Sequence, residues 1–401
     1  MTGADPAAAR SAGDRLRLAA LYAGGFLGPF GGGVTASMLP ELGRDLGFSP
    51  AAATTSLTAY LVPFALLMLV SGTLGARWGA ARTVRWAYVA YTVVSLVAAV
   101  AGSGALFLAA RGLQRAANAF TTPLLLAALA AATPGDRLGR ALGLFGSLQA
   151  AGQTFAPLVG GLSAETSWRW AFVGVAAVSA LLAVAGLPRR GGGAAVRSTR
   201  VRDAWTPRVL RLGLVAALGW GALGGLSFLV ALRVDDAFAL PAGLRGAVLT
   251  GFGVVGLLTA RLVGAGVDRF GADRCARVGA VLGAVLVGAL GVLPSVVALA
   301  VVWGAAGAAA QLVLVGVNAL VLREAVTGGV SVVQALRFVG AAAAPVVFLG
   351  PFHLCPVAGF GLASLVLLGA ALAVPRPVRS GSEAPPPGVP PPGVPPPGVT
   401  A

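Results

Sequence analysis

The sequence predicts an all-α membrane protein, with twelve transmembrane helices in two pseudo-symmetric six-helix bundles. Three observations predict it: a large apolar excess, a series of helix-length apolar segments, and short motifs repeated between the chain halves. Of 401 residues, 57% are apolar and 10% charged, with a mean hydropathy of +0.87. A soluble domain carries about 25% charged residues, so this chain could not keep a folded surface wet. Its dimensions are set by bilayer thickness.

Crossing about 30 Å of hydrocarbon at 1.5 Å per residue takes roughly twenty apolar residues. Segments of that kind fall at 18–39, 54–75, 85–102, 105–131, 141–163, 169–187, 212–234, 244–265, 275–293, 296–322, 328–350 and 356–374. The first follows Arg10, Arg15 and Arg17 and lacks a cleavage site, so it reads as a retained helix and not a removed leader. Connections are short except for 188–211, which is basic, Gly-rich and divides six segments from six. After Pro375 come three PPPGV repeats, which favour extended polyproline conformations and read as a disordered tail. The expected organisation is an N-terminal tail (1–17), a first bundle (18–187), a central loop (188–211), a second bundle (212–374) and a Pro-rich tail (375–401).

The halves resemble each other. Gly152 is followed five residues later by Pro157, and Gly340 five later by Pro345, at an offset of 188. The run from Ala76 to Arg82 parallels the run from Asp268 to Arg274 at an offset of 192. Two matches at nearly one offset point to a duplicated six-helix unit, and such repeats place a binding site at their interface near the midplane.

Position matters more than the sum of charge. The net charge is +16 and all 29 basic residues are Arg. They cluster between apolar segments, the pattern of topology signals, whereas nucleic-acid binding would need a soluble basic face. With the N-terminus inside, inner loops and tails collect 21 Arg and the outer side keeps Arg44, Arg169, Arg233 and Arg245. That bias puts both termini in the cytoplasm of a multi-pass protein of the cell inner membrane. Cys275 and Cys355 match no metal or redox spacing. His353, in the stretch FHLCP, reads as part of a short loop and has no partner for ligation. No metal or cofactor is expected.

A polar group within a span needs a partner or a function. Arg111, Gln114 and Asn118 share one face of the fourth segment, as a cavity-facing stripe or an interhelical network. Gln149 and Gln153 lie one turn apart in the fifth segment, and Gln311 and Asn318 share a face of the tenth. Gln334 and Arg337 lie in the inner half of the eleventh. These amides are candidates for binding a substrate's polar groups or for clamping helices. Tyr60, Phe64, Trp220, Phe228 and Phe252 are candidates for lining a cavity for a flat apolar molecule. Gly152, Pro157, Gly160 and Gly161 allow close helix approach and a kink, a mechanical role. The thirteen acids sit in tails, loops or helix ends, with Glu41, Glu165, Asp235 and Asp236 at outer ends.

Four motifs, one of them present in two copies, together carry a resemblance. After the second segment come Gly72, Leu74, Gly75, Arg77, Gly79 and Arg82, with Ala76 at the position of an expected acid. After the eighth come Gly264, Asp268, Arg269, Gly271 and Arg274. The fourth segment holds Arg111 and Gln114, with Arg115 in place of a Gly, and the fifth holds Gly152, Pro157, Gly160 and Gly161. The run from Ser167 to Phe172 opens the sixth. Over about 16–375 the chain resembles the drug-exporter branch of the major facilitator superfamily.

That resemblance implies a secondary active transporter that exports a small amphipathic compound, a drug or secondary metabolite, by alternating access with proton coupling. The implied partners are lipid, substrate and protons, for a protein acting as a monomer, with antibiotic resistance as the associated phenotype. Arg111 is implied in proton movement. Asp268, with Arg269, Arg77 and Arg82, is implied in gating at the cytoplasmic face, with Gly72, Gly79 and Gly271 of the same motifs in mechanical roles. Two rival readings remain: a same-fold uptake transporter for a metabolite, and a membrane-embedded enzyme. The second is opposed by the lone His, unpaired Cys and lack of an intramembrane carboxylate pair. A reporter fused after Arg379 is expected to be active only in the cytoplasm; activity outside would overturn the twelve-helix topology.

Overall fold

The computed structural model describes residues 12–47, 55–187, 205–324 and 329–375. The far N-terminal tail, most of the 188–211 loop and the PPPGV tail lie outside them. The chain forms α1 (Ala12–Gly33), α2 (Leu39–Leu46), α3 (Thr55–Arg77), α4 (Ala80–Ala99), α5 (Gly104–Ala119), α6 (Thr121–Ala132), α7 (Gly135–Ala164) and α8 (Arg169–Ala185) in its first half. The second half holds α9 (Pro207–Gly221), α10 (Ser227–Phe238), α11 (Ala242–Phe270), α12 (Ala272–Leu290), α13 (Val296–Arg323), α14 (Gly329–Leu354) and α15 (Pro356–Ala373).

Among the described residues twelve spans follow when α5 with α6, and α9 with α10, each count as one and the eight-residue α2 is set aside. The sequence reads both as single helices. Pro123 offers no N–H to the Ala119 carbonyl, so the fourth span is interrupted at Phe120. The seventh changes to a 3-10 turn at Gly224–Leu226. The first segment ends at Gly33, not Leu39, because three consecutive glycines close α1. Leu39 instead opens the short helix α2, unforeseen from sequence, which stops at Gly47 with φ 73°. His353 belongs to the last turn of α14 rather than to a loop, leaving Cys355 as the single link to α15. Among the described residues five stretches, all in the second half, are by length and composition apolar enough to cross a membrane: Pro207–Phe238, Ala242–Phe270, Val296–Arg323, Gly329–Leu354 and Pro356–Ala373.

Packing repeats the sequence duplication. In the first half α1 packs on α7, α3 on α5, and α4 on α8; in the second, the corresponding pairs are α9 on α14, α11 on α13, and α12 on α15. Across the halves α7 meets α11 and α3 meets α14, again related by the exchange of halves. The Gly152/Gly340 match has a physical cause. A Cβ on Gly152 would stand 2.2 Å from the Phe26 carbonyl of α1, and one on Gly340 2.0 Å from the Ala217 carbonyl of α9. Gly79 and Gly271 both have φ 91°, a conformation that favours Gly at the two matched turns.

The helix ends form a basic face, carrying Arg77, Arg82, Arg269 and Arg274, and an opposite, distal face. At the distal face the halves are locked together. Arg245, 2% exposed at the start of α11, donates to both carboxylate oxygens of Glu41 on α2 at 2.6 Å. It also donates to Asp235, to the Leu240 carbonyl at 3.0 Å and to the Ser37 carbonyl at 3.1 Å. Glu165 accepts from the Gly243 N–H at 3.2 Å, and a Cβ on Gly161 would stand 2.2 Å from the Ala242 carbonyl. Toward the basic face a Cβ on Gly143, Gly146 or Gly264 meets nothing within 4 Å. Among the described residues, the contacts that tie α2 and α7 to the start of α11 lie at the distal face.

Breaking a buried ion pair from one side costs about 3–5 kcal/mol, and about 1.4 kcal/mol already shifts a two-state ratio tenfold. Arg245→Ala is therefore expected to open the distal face. In a Cys355→Ser background, the buried Ala242→Cys should resist aqueous maleimide until Arg245 is removed; unchanged protection would show that the apolar contacts alone hold this face shut.

Candidate functional site

The site is built from α5 outward. Ser103 caps this helix by accepting from the Leu106 N–H at 3.3 Å. Arg111, Gln114, Arg115 and Asn118 then recur at three- and four-residue intervals, so all four lie on one stripe. All are buried, from 0% to 4% exposed. Burying a charge in this way requires partners.

The partners come from α1 and the turn after it, from α3, from α4 and from α5 itself. Arg111 donates to the Gly31 carbonyl at 3.0 Å, to Gln114 Oε1 at 2.6 Å and to Thr35 Oγ1 at 3.5 Å. Gly31 is in the last turn of α1, where carbonyls lack helical partners. Gln114 passes the chain on, donating to Ser95 Oγ at 2.8 Å. One turn along, Arg115 donates to the Gly28 carbonyl at 3.1 Å and to Asn118 Oδ1 at 2.9 Å. Aromatic faces cover both cations: Tyr60 lies 3.9 Å from the Arg111 guanidinium carbon, and Phe64 3.6 Å from that of Arg115. No carboxylate pairs with either cation among the described residues.

A second cluster stands in the other half. Arg337 of α14 lies 4.8 Å from the ring of Trp220 and 4.8 Å from that of Phe338. With Asn318, Gln334 and Trp220 it borders a cavity of about 10 Å³, room for about one water molecule. The halves touch between the clusters, where Phe64 and Phe338 meet edge to face at 5.1 Å and Thr58 donates to the Ala342 carbonyl at 3.0 Å.

Sequence and structure agree on some positions and part at others. The Arg111 stripe, with Tyr60, forms one cluster, and Asn318, Gln334, Arg337 and Trp220 form another. In this conformation Gln114 and Asn118 do not open on a cavity, because both amides are buried and hydrogen-bonded. Phe228 is also buried, and Phe252 stacks on Trp303 at 4.6 Å. Gln311 packs beneath Gly256, while Gln149 is half-buried and Gln153 exposed on α7. Gly160 sits against the Val34 carbonyl, and Ser37 Oγ donates to the Pro157 carbonyl at 2.6 Å. Gly72 lies within α3. Arg77, Arg82, Asp268 and Arg269 are exposed at the basic face, and no ion pair holds Asp268 among the described residues. Sequence reasoning treated Arg115 as a departure from a motif and Arg245 as an outer-side topology charge at the start of a span. The signal for Arg115 was its four-residue spacing from Arg111; that for Arg245 was the acids at neighbouring helix ends.

The profile of the Major Facilitator Superfamily matches residues 21–345. The chain belongs to that superfamily. Within it the chain is similar to EfpA, an uncharacterized MFS-type transporter of Mycobacterium tuberculosis, at 35% identity over 34% of this chain and 26% of the relative. It is 37% identical to puromycin resistance protein pur8 of Streptomyces alboniger over 40% of this chain and 33% of that protein. To the cephamycin export protein CmcT of Amycolatopsis lactamdurans it is 34% identical over 36% of this chain and 30% of the other. The matched stretches thus span about a quarter to a third of these relatives. Among solved structures, a D-xylose–proton symporter superposes with a TM-score of 0.72 at 16% identity, covering 89% of this chain and 96% of that one. A bacterial homologue of the human lysosomal transporter Spinster, inward-facing and unoccupied, gives 0.69 at 16% identity, covering 91% and 95%. These likenesses establish a twelve-span transporter fold.

Arg111→Ala would leave Gln114 and the Gly31 carbonyl without their donor and is expected to abolish transport at near-normal expression. Arg111→Lys should rescue only in part, since a point charge does not reproduce a planar fork. Full transport by the Ala variant would remove Arg111 from the functional set.

Proposed function

We propose that the protein exports a small amphipathic compound by alternating access, coupled to proton influx, with the basic face and both termini cytoplasmic. It is a carrier in this reading and not an enzyme. One observation supports it above the rest: the Arg245–Glu41 ion pair and close glycine contacts tie the halves together at the distal face, while glycines of the same helices nearer the basic face meet nothing within 4 Å. That is the arrangement expected of a carrier loading from the cytoplasm. The fifth-span glycines fit it, since Gly161 approaches the second half at the seam. Relatives named for puromycin resistance, cephamycin export and tetracenomycin C resistance and export point the same way.

The gate at the basic face has unequal halves. Asp268 stands in the second copy of the loop motif, and Ala76 replaces its counterpart in the first. In the open state Asp268 is exposed and free to capture a partner when the face closes. Exposed pairs contribute about 0–1 kcal/mol and partly buried ones more, enough to set a two-state balance.

Inverted membrane vesicles energised with a proton gradient test direction and coupling together. Export predicts accumulation of amphipathic dye inside them, collapsed by an uncoupler; accumulation only in right-side-out vesicles would establish uptake instead. Asp268→Asn is expected to slow transport strongly, and Ala76→Asp to favour closure of the basic face. If Asp268→Asn changes neither transport nor cysteine accessibility at that face, the motif is only a tight turn.

A further inference from the structure

Arginines from both halves lie near one ring of the seam, Phe338. From the first half, the Arg115 guanidinium carbon lies 3.6 Å from the Phe64 ring centroid and 5.9 Å from that of Phe338. From the second, Arg337 lies 4.8 Å from the same Phe338 ring. Arg111 completes the group, 3.9 Å from Tyr60, whose ring is also 4.8 Å from Arg115. The Nε atoms of Arg111, Arg115 and Arg337 are buried without a hydrogen-bond partner. These are donors with nothing to receive them.

The charge balance is one-sided. Three guanidinium groups share this region, and every acid of the sequence lies in a tail, a loop or a helix end. Backbone carbonyls and aromatic faces stabilise the cations but bring no negative charge. Where the local dielectric is low, Coulomb terms are many times larger than in water. A cationic guest is therefore repelled, and an anionic one supplies what the protein omits. Guanidinium is also the group suited to planar oxyanions, through paired N–H donors.

We propose that the seam binds an organic anion: a flat aromatic body between Phe64 and Phe338, bearing a carboxylate or sulfonate held by Arg115 and Arg337. The cavity beside Arg337 holds about 10 Å³, too small for a ring, so the ligand enters by parting Phe64 from Phe338. Each half supplies one guanidinium and one ring, so the ligand joins the two halves. The proposal names the cargo class for the carrier described above and rests on that reading only in calling the ligand a cargo.

Two xanthene dyes of similar shape and opposite charge test it on the purified full chain: fluorescein, ionised, and the cationic tetramethylrhodamine ethyl ester. Fluorescence anisotropy should show fluorescein bound at least about tenfold more tightly. Arg115→Gln and Arg337→Gln should each weaken it by about tenfold or more, with the Lys variants intermediate. Arg337→Glu should turn the preference toward the cationic dye, a gain that a misfolded protein cannot produce. Equal or tighter binding of the cationic dye by the unaltered protein, or unchanged fluorescein binding in both Gln variants, would overturn the proposal. Fluorescein bound with this profile but not moved across proteoliposomes would support the site and sink the exporter reading. Rhodamine transport without fluorescein binding would do the reverse.

Discussion

A guanidinium placed in the middle of a membrane span carries its charge into a solvent that cannot hydrate it, and the first bundle is arranged around two of them. Arg111 and Arg115 require acceptors that hydrocarbon cannot give. The acceptors are the Gly31 and Gly28 carbonyls of α1, the amides of Gln114 and Asn118, and the faces of Tyr60 and Phe64. This fixes the rotation of α5 against α1 and α3. It also explains the glycines of α1: a Cβ on Gly31 would stand 2.1 Å from the Tyr91 hydroxyl, and one on Gly28 3.0 Å from the Asn118 amide. The small residues are there so that polar side chains can reach the backbone.

The second bundle solves a different problem. Its spans carry Arg337 and Arg261, amides and the hydroxyls of Thr250 and Thr259, and all of them but α12 are apolar enough to cross the membrane on length and composition alone. Its strongest polar contacts are at the ends, where Arg245 gathers Glu41 and Asp235. The two bundles share a packing scheme but divide the work: the first buries charge at the centre, and the second supplies the cation that closes the distal face.

That division bears on conformational change. Arg245 holds the halves together at the distal face, Phe64 meets Phe338 at mid-depth, and Asp268 is exposed at the basic face. A ligand that binds both halves favours whichever arrangement lets it touch both.

The sequence by itself determined the span count, the duplication and the Arg111 stripe, because each rests on local periodicity or on a fixed offset along the chain. A twenty-residue apolar run has few alternatives in lipid, and a polar stripe spaced by three and four must share a helix face. Only the tertiary structure decided what those faces meet. Arg245 reads as one more outer-side charge until α2 and α10 bring Glu41 and Asp235 to it from 204 and 10 positions away in sequence. Arg115 reads as a broken motif until Phe64 and Phe338 cover it from two helices in different halves. Short-range spacing is written in the chain, but pairing across halves depends on where whole helices stand, and no local pattern encodes that.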